Sequence, residues 1–230
     1  MRFVLIRHGQ SGNNLLWAQT GGSTGRHPDA PLTDLGHEQA RRLAAAAADG
    51  VLPWPVTHLY TSLMTRAVQT AAPLADALDL PLRGSLDIYE TSGPYEEDEV
   101  TGARSPHPGA LRADLLALST RLDLPDAAGA DGWWRSSVED GWEISAARAR
   151  RAIAALRSGH DEGDVVALVT HGAFTQHLIR ALLGIEVMTG WIEIVNTSIC
   201  LFEDDVRRPG TCIARRLGWT PHLASDQITE

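Results

Sequence analysis

Two apolar segments of the sequence, far apart along the chain, end in the same way. The first reads Val4-Leu5-Ile6-Arg7-His8-Gly9 and the second reads Leu168-Val169-Thr170-His171-Gly172. Each has the pattern of a buried strand that turns directly into a helix. Doubly wound sheets bind ligands at the carboxyl ends of their strands, where helix N-termini present free N–H groups to an anion and a glycine lets the backbone approach it. The paired segments therefore predict a sheet with an anion site at one edge.

The rest of the sequence alternates between strand and helix patterns. Thr33 is a suitable N-cap for a long alanine-rich helix, and Gly50 is a suitable stop. This alternation predicts an α/β fold whose mostly parallel sheet is covered by helices on both faces. Strands are predicted over residues 2–6, 56–61, 82–86 and 165–169, further helices over 63–80, 139–156 and 173–183, and a terminal hairpin over 198–203 and 211–217.

From about residue 93 to residue 140 the periodicity weakens, and Gly and Pro accumulate. Only the part over 108–122 keeps a helical pattern. We interpret this stretch as a cap inserted into a single domain that spans residues 1–230, because a chain of this length is short for two full domains. The cap region also has three large apolar side chains that we expect to pack, Trp133, Trp134 and Trp142.

The composition limits the functions that the chain can have. A net charge of −9 opposes an extended nucleic-acid surface, which needs clustered positive charge. All 20 basic residues are arginine, which excludes enzymes that rely on a P-loop or Schiff-base lysine. No apolar run is long enough for a signal peptide or a transmembrane helix, and two cysteines are too few for a disulfide framework. We expect a cytoplasmic protein that binds neither nucleic acid nor membrane, and the sequence leaves open whether it forms a homodimer.

Arginine supplies the positive charge that an anion site needs. Arg7 directly precedes the first histidine, and Arg66 opens a helix just after the strand that ends at Thr61. A guanidinium fork can hold two phosphate oxygens at once, although Arg66 on its own could equally be an exposed helix residue. His171 and His177 lie six residues apart, on different helix faces, which disfavours a zinc pair. Two histidines and two arginines without a metal-ligand pattern suggest phosphoryl transfer to a nitrogen nucleophile, with no metal and no cofactor.

Taken together, the motifs resemble the histidine phosphatase superfamily, whose best-known members are the cofactor-dependent phosphoglycerate mutases. The resemblance rests on Arg7-His8-Gly9, on Thr61-Ser62-x-x-x-Arg66-Ala67-x-x-Thr70-Ala71 and on Thr170-His171-Gly172. It extends from Met1 to about Leu217. It implies a three-layer αβα sandwich with a mostly parallel sheet and an inserted, partly helical cap.

The resemblance also implies a role for each matching residue. His8 is expected to be the nucleophile that becomes phosphorylated, and His171 to take part in catalysis beside it. Five residues are expected to hold the phosphoryl oxygens: Arg7, Asn14, Arg66, His171 and Gly172. Elementary chemistry agrees, because a neutral imidazole can attack phosphorus and nearby guanidinium charge disfavours the imidazolium, which cannot.

A phosphatase needs an acid as well, since an alkoxide leaving group must take up a proton as the P–O bond breaks. The family places a glutamate after the third strand, and Glu90 suits this role best, although the sequence around it departs from the common family pattern. Glu96 and Glu97 are the next candidates, with a solvated loop as their simpler interpretation. Asn196-Thr197-Ser198 precedes a predicted strand and is better explained as a turn or strand cap than as part of the site.

The function predicted from these residues is a metal-independent phosphomonoester hydrolase that acts through a phosphohistidine on a small phosphorylated metabolite. One alternative is a cofactor-dependent phosphoglycerate mutase. Mutases of the family hold the substrate carboxylate with basic residues after the acid, whereas Thr91-Ser92-Gly93-Pro94 follows Glu90 and the next arginine is Arg104. The alternative of another class is a non-catalytic phosphate-binding or scaffold protein.

Overall fold

The computed structural model describes residues 1–138 and 141–230. Within these ranges the strands are β1 (Arg2–Arg7), β2 (His58–Ser62), β3 (Leu82–Ser85), β4 (Tyr95–Glu97), β5 (Arg104–Pro106), β6 (Leu122–Asp123), β7 (Val165–Thr170), β8 (Ile199–Asp204) and β9 (Cys212–Trp219). The α-helices are α1 (Gly12–Thr20), α2 (Asp34–Ala48), α3 (Thr65–Leu78), α4 (Arg112–Leu118), α5 (Trp142–Ser158) and α6 (Gly172–Leu183), and a short 3-10 turn covers Ser225–Gln227. No helix in the described part of the chain combines the length and apolar character that crossing a bilayer requires.

Seven strands form one central sheet, in the order β6-β3-β2-β7-β1-β8-β9. Strands β1, β2, β3, β6 and β7 run parallel, while β8 and β9 add an antiparallel edge. The register between β1 and β7 pairs Ile6 with Val169 and Arg7 with Thr170. Since both strands are parallel and end at the same level, the residues that follow them, His8 and His171, must emerge side by side.

Both faces of the sheet are buried, which explains the continuous apolar runs of β1 and β7. Along β1, Val4 and Ile6 pack into one core together with side chains of α2 and α3. The alternate residues, Phe3 and Leu5, pack into a second core with side chains of α5 and α6. The strand period of two therefore divides one apolar run between two helical layers. This arrangement confirms the predicted α/β fold of three layers.

The predicted helix and strand boundaries agree with the structure to within a few residues. Thr33 caps α2, since its hydroxyl accepts the Gly36 N–H at 3.1 Å, and α6 ends at Gly184 in the left-handed conformation that favours glycine (φ 66°). Residues 139 and 140, at the predicted start of the helix before β7, lie outside the described part of the chain. The helix described there begins at Trp142.

The predicted cap region is less separate from the sheet than the sequence suggested. It contains the two-stranded sheet β4-β5 and the helix α4, but its strand β6 pairs in parallel with β3 and extends the central sheet. Trp133 and Trp134 are buried against Tyr89 in the core beneath the cap, as predicted. Trp142 also packs, with its ring centroid 3.9 Å from that of His177, but it remains 40% exposed at the start of α5.

Candidate functional site

The two strand-end histidines meet at the carboxyl edge of the sheet. The centroids of the His8 and His171 rings are 5.1 Å apart. The His8 N–H donates to the Thr170 carbonyl at 2.9 Å, which continues the β1–β7 ladder by one residue. Both side chains are almost completely buried. The structure thus brings together the pair on which the sequence prediction rested.

The hydrogen bonds of His8 select one tautomer of its ring. Its Nδ1 lies 2.6 Å from the Gly9 carbonyl, which can only accept, so Nδ1 carries the proton. On the other side, Arg66 donates its Nε–H to His8 Nε2 at 3.0 Å. Because a guanidinium has no acceptor, Nε2 must hold a lone pair. This lone pair is the one with which an imidazole attacks an electrophile.

Burial and positive charge keep both histidines neutral. Desolvation lowers the pKa of His8 well below 6.5, and the charges of Arg66 and Arg7 lower it further. Desolvation is also the main cause that lowers the pKa of His171, followed by Arg66. At neutral pH the pair therefore consists of two neutral imidazoles surrounded by arginines.

Helix α3 is tied to this site by the residues of its motif. Ser62 Oγ lies 2.8 Å from His171 Nε2, Arg66 bonds to His8, and Thr70 Oγ1 accepts the Gly9 N–H at 3.0 Å. Arg66 and Thr70 are four residues apart and share one face of α3, while Ser62 is the last residue of β2, four residues before Arg66. The spacing of the motif is thus explained by three contacts with the two histidine-bearing loops.

Arg7 lies between the two strand ends. Its Nη1 donates to the Ile194 carbonyl at 2.6 Å, and burial lowers its pKa to about 10. Gly172 gives it room, because a Cβ at that position would lie 3.2 Å from Arg7 Nε. Among the described residues, three buried N atoms at this site have no hydrogen-bond partner: Arg7 Nε, Arg66 Nη1 and His171 Nδ1. Such atoms are costly to bury unpaired, and an anion would satisfy those that carry a proton.

Glu90 also reaches the site, at the N-terminus of α6. Its Oε1 accepts the N–H groups of Thr91 and Phe174, each at 2.8 Å, and its Oε2 accepts that of Ala173 at 3.3 Å. Its charge raises the pKa of Arg7, against the larger lowering by desolvation. Of the other acidic candidates, Glu97 pairs with Arg104 at 3.1 Å in the β4–β5 sheet.

Arg148, which the sequence analysis overlooked, holds the Glu90 loop in place. Its guanidinium donates to the carbonyls of Asp87 and Tyr89 at 3.0 and 2.7 Å, and it stacks 3.6 Å from the Tyr89 ring. The side chain is 2% exposed. Its helical position was a usable signal, because an arginine on the buried stripe of α5 must have partners inside the protein.

Two asparagines lie beside the His8 loop. Asn14 is half-buried and its Oδ1 accepts from the Ser11 N–H and hydroxyl in a capping box at the start of α1. Asn196 donates to the His8 carbonyl at 3.0 Å, and Thr197 donates its N–H to the Arg7 carbonyl at 3.1 Å. Residues 196–197 form the turn before β8, as predicted, and they also support the backbone that carries the first histidine.

Gly9 has a role that the sequence did not predict. A Cβ there would lie 2.6 Å from the Gly36 carbonyl, and a Cβ on Gly36 would lie 2.1 Å from the Gln10 carbonyl. The glycine pair thus lets the His8 loop touch the start of α2.

Asp29 is a further residue that the sequence did not reveal. It accepts from the Thr65 N–H at 3.0 Å and lies 3.9 Å from Arg66 Nη1. No local pattern distinguishes this aspartate in the sequence.

Comparison with known proteins agrees with this geometry. The profile of the histidine phosphatase superfamily (branch 1) matches residues 3–211. Among solved structures, a mycobacterial glucosyl-3-phosphoglycerate phosphatase is 22% identical with a TM-score of 0.61, over 94% of this chain and 98% of that one.

Two further solved structures have the same fold. The alpha-ribazole phosphatase from Shigella flexneri is 22% identical with a TM-score of 0.64, over 96% of this chain and 97% of its own. The ecdysone phosphate phosphatase from Bombix mori is 15% identical with a TM-score of 0.67, over 97% and 95%. The family match covers most of the chain, including both histidine motifs, and the protein therefore belongs to the histidine phosphatase superfamily, branch 1.

Proposed function

We propose that this protein is a metal-independent phosphomonoester hydrolase that acts on a small phosphorylated metabolite through a phosphohistidine at His8. One observation supports this most strongly. The Nε2 lone pair of a neutral, buried His8 faces a guanidinium, and unpaired N–H groups of Arg7 and Arg66 lie beside it. This arrangement provides a nitrogen nucleophile together with charge for phosphoryl oxygens.

In the first step, His8 Nε2 attacks phosphorus and the P–O bond to the leaving group breaks. Arg66, which bonds to Nε2 here, would instead donate its hydrogen bonds to the phosphoryl oxygens. Arg7 and His171 would also contact these oxygens. The Gly172 N–H at the start of α6 and the Asn14 amide complete the proposed phosphate site. In the second step, water attacks phosphorus, the P–N bond breaks and inorganic phosphate leaves.

Glu90 is the proposed proton donor of the first step and base of the second. Backbone N–H groups hold its carboxyl group in one orientation, with the stronger bonds on Oε1. Oε2 makes the longer bond, at 3.3 Å, and is the oxygen that we assign to proton transfer. Protonating the leaving oxygen and later deprotonating water returns the carboxyl group to its starting state.

The test is to trap the intermediate. The enzyme is mixed in excess chelator with a ³²P-labelled phosphomonoester, quenched, and analysed by mass spectrometry for acid-labile phosphate. We expect the label on His8, its loss in His8→Ala, and full labelling in the control His58→Gln, which lies at the start of β2. Label on another residue would refute the nucleophile, and absence of both label and turnover across a broad substrate panel would favour the scaffold alternative.

The mutase alternative predicts a different product. Given a phosphoglycerate and a bisphosphoglycerate primer, a mutase interconverts the two phosphoglycerates faster than it releases inorganic phosphate. We expect release of phosphate to dominate, because water is the acceptor in the proposed second step.

A cytoplasmic location belongs to the same proposal and is tested by cell fractionation. Light scattering of the purified protein distinguishes a monomer from a homodimer.

A further inference from the structure

An arginine outside the predicted site lies at its rim. Arg26, on the loop between α1 and α2, donates from Nη1 to the Tyr95 carbonyl at 2.9 Å. Its guanidinium carbon lies 3.8 Å from the centroid of the Tyr95 ring. The side chain is half-buried although it belongs to a surface loop. Stacking and hydrogen bonding thus hold this guanidinium in one place.

Both segments that hold Arg26 are anchored at the candidate site. Three residues after it, Asp29 accepts from the Thr65 N–H and hydroxyl at 3.0 and 2.8 Å, directly beside Arg66. Tyr95 follows Glu90 by five residues, and a turn between them is closed by the Gly93 N–H bonding to the Glu90 carbonyl at 3.1 Å. Arg26 therefore lies between the segment that supports Arg66 and the segment that carries Glu90.

The charge of Arg26 has no direct counter-ion. Within residues 1–138 and 141–230, no carboxylate oxygen lies within 4.0 Å of its guanidinium, and its Nε and Nη2 have no hydrogen-bond partner. Burial lowers the pKa of Arg26, and its charge in turn contributes to lowering the pKa of Arg66. A partly buried guanidinium that keeps free N–H donors, held between the segment that supports Arg66 and the segment that carries Glu90, is a candidate for binding a second acidic group.

We propose that Arg26 binds a carboxylate on the leaving part of the substrate, so that the enzyme selects phosphomonoesters that also carry a carboxylate. The proposal rests on the proposed function. With Nη1 engaged by Tyr95, the side formed by Nε and Nη2 remains, and it matches the two oxygens of a carboxylate. Glu97, whose charge acts on Arg26, would oppose a doubly charged phosphate more than a singly charged carboxylate.

This assignment differs from the arrangement expected of the mutases. In those enzymes, the basic residues that bind the substrate carboxylate follow the acid glutamate along the chain. Here Arg104, the first arginine after Glu90, stacks on the same Tyr95 ring at 4.8 Å and pairs with Glu97 at 3.1 Å. The carboxylate-binding cation would instead come from the loop before α2. Tyr95 positions it and is not assigned a contact with substrate.

Binding tests the inference without depending on turnover. In a His8→Ala background, calorimetry gives the Kd of 3-phosphoglycerate and of glycerol 3-phosphate, which has a hydroxymethyl group in place of the carboxylate. We expect the carboxylate ligand to bind about tenfold to hundredfold more tightly, the usual effect of a charge-assisted hydrogen bond. Arg26→Gln should abolish this ratio and Arg26→Lys should preserve part of it, whereas Arg151→Gln, an equal charge change on an exposed residue of α5, should leave it unchanged.

Three results would overturn the inference. Equal affinity for the two ligands in the His8→Ala background would show that no carboxylate is recognised. A ratio unaffected by Arg26→Gln would place the recognition elsewhere. Tighter binding of propane-1,3-diyl bisphosphate than of 3-phosphoglycerate would assign the subsite to phosphate. The failure of the proposed function is separate, since it appears as the absence of phospho-His8 in the trapping experiment, whatever the binding ratio is.

Discussion

At the scale of single residues, the chemistry of the site depends on which atoms are already engaged. His8 has Nδ1 committed to the Gly9 carbonyl and Nε2 facing Arg66. His171 has Nε2 beside Ser62 and leaves Nδ1 without a partner in the described structure. The two histidines are therefore not equivalent, and the bonded tautomer of His8 leaves the Nε2 lone pair that the proposed nucleophile needs.

Glu90 provides the prediction at this scale. Glu90→Gln keeps an oxygen for the N–H groups of α6 but removes the transferable proton, so hydrolysis of an alkyl phosphate should fall by about 10² to 10⁴. Phosphorylation by an aryl phosphate should fall less, because its phenolate leaves without a proton. Burst kinetics must be measured, because Glu90 also serves the second step of the proposed mechanism and a slower second step would hide the difference in steady-state turnover. An equal loss of burst rate with both substrates would make Glu90 structural.

At the scale of elements, the site is held by contacts between loops and helices that are distant in sequence. Helix α3 contacts His8 and its loop through Arg66 and Thr70. Ser62, at the end of β2, contacts His171. Helix α2 touches the His8 loop where Gly36 meets Gln10. Gln39 of α2 extends this contact, accepting the Gln10 N–H at 2.8 Å and donating to the Gln227 carbonyl at 2.8 Å. The position of His8 thus depends in part on α2, a helix that contributes no side chain to the proposed chemistry.

The close contact at Gly36 predicts a strong effect of a small substitution. In Gly36→Ala the new methyl group would lie 2.1 Å from the Gln10 carbonyl, so α2 and the His8 loop must separate. We expect a loss of about 3 kcal/mol in the free energy of unfolding, measured with urea, together with a lower kcat. Gly163→Ala, where the space is open, should change the free energy of unfolding by less than about 0.5 kcal/mol. If the two variants were equally stable, the contact would be unimportant.

At the scale of the whole molecule, burying neutral histidines makes stability depend on pH. The folded-state pKa of His8, His171 and His222 is lowered by desolvation, for His222 to about 4. Between these values and 6.5, the unfolded chain binds protons that the folded protein does not, so stability must fall as the pH falls.

The expected size of this effect is large enough to measure. Each histidine contributes a loss of about 1.4 kcal/mol per pH unit below 6.5, so the three together should cost about 4 kcal/mol at pH 5.5 relative to pH 7.5. Urea unfolding over this pH range measures it, and His222→Gln should reduce the loss by about one third. A free energy of unfolding that stays constant from pH 7.5 to pH 5.5 would contradict the lowered pKa values.

Local signals in the sequence were sufficient for most of the fold. The apolar runs of β1 and β7 predicted buried strands because both sheet faces are covered, and Thr33 and Gly184 marked helix ends through their own backbone preferences. The paired His-Gly endings predicted one shared edge, because parallel strands end together. These inferences succeeded because strand period, capping and strand direction are properties of short segments.

What the sequence by itself determined was the α/β class, the order of most elements and the strand-end histidines with their two arginines. Only the tertiary structure decided that Arg148 holds the Glu90 loop, that Asn196 supports the His8 backbone, and that Arg26 stacks on Tyr95. It also placed β6 in the central sheet and left Trp142 partly exposed. The physical reason is common to all of these. Each depends on a contact between segments distant along the chain, and long-range packing sets such contacts where no local periodicity records them.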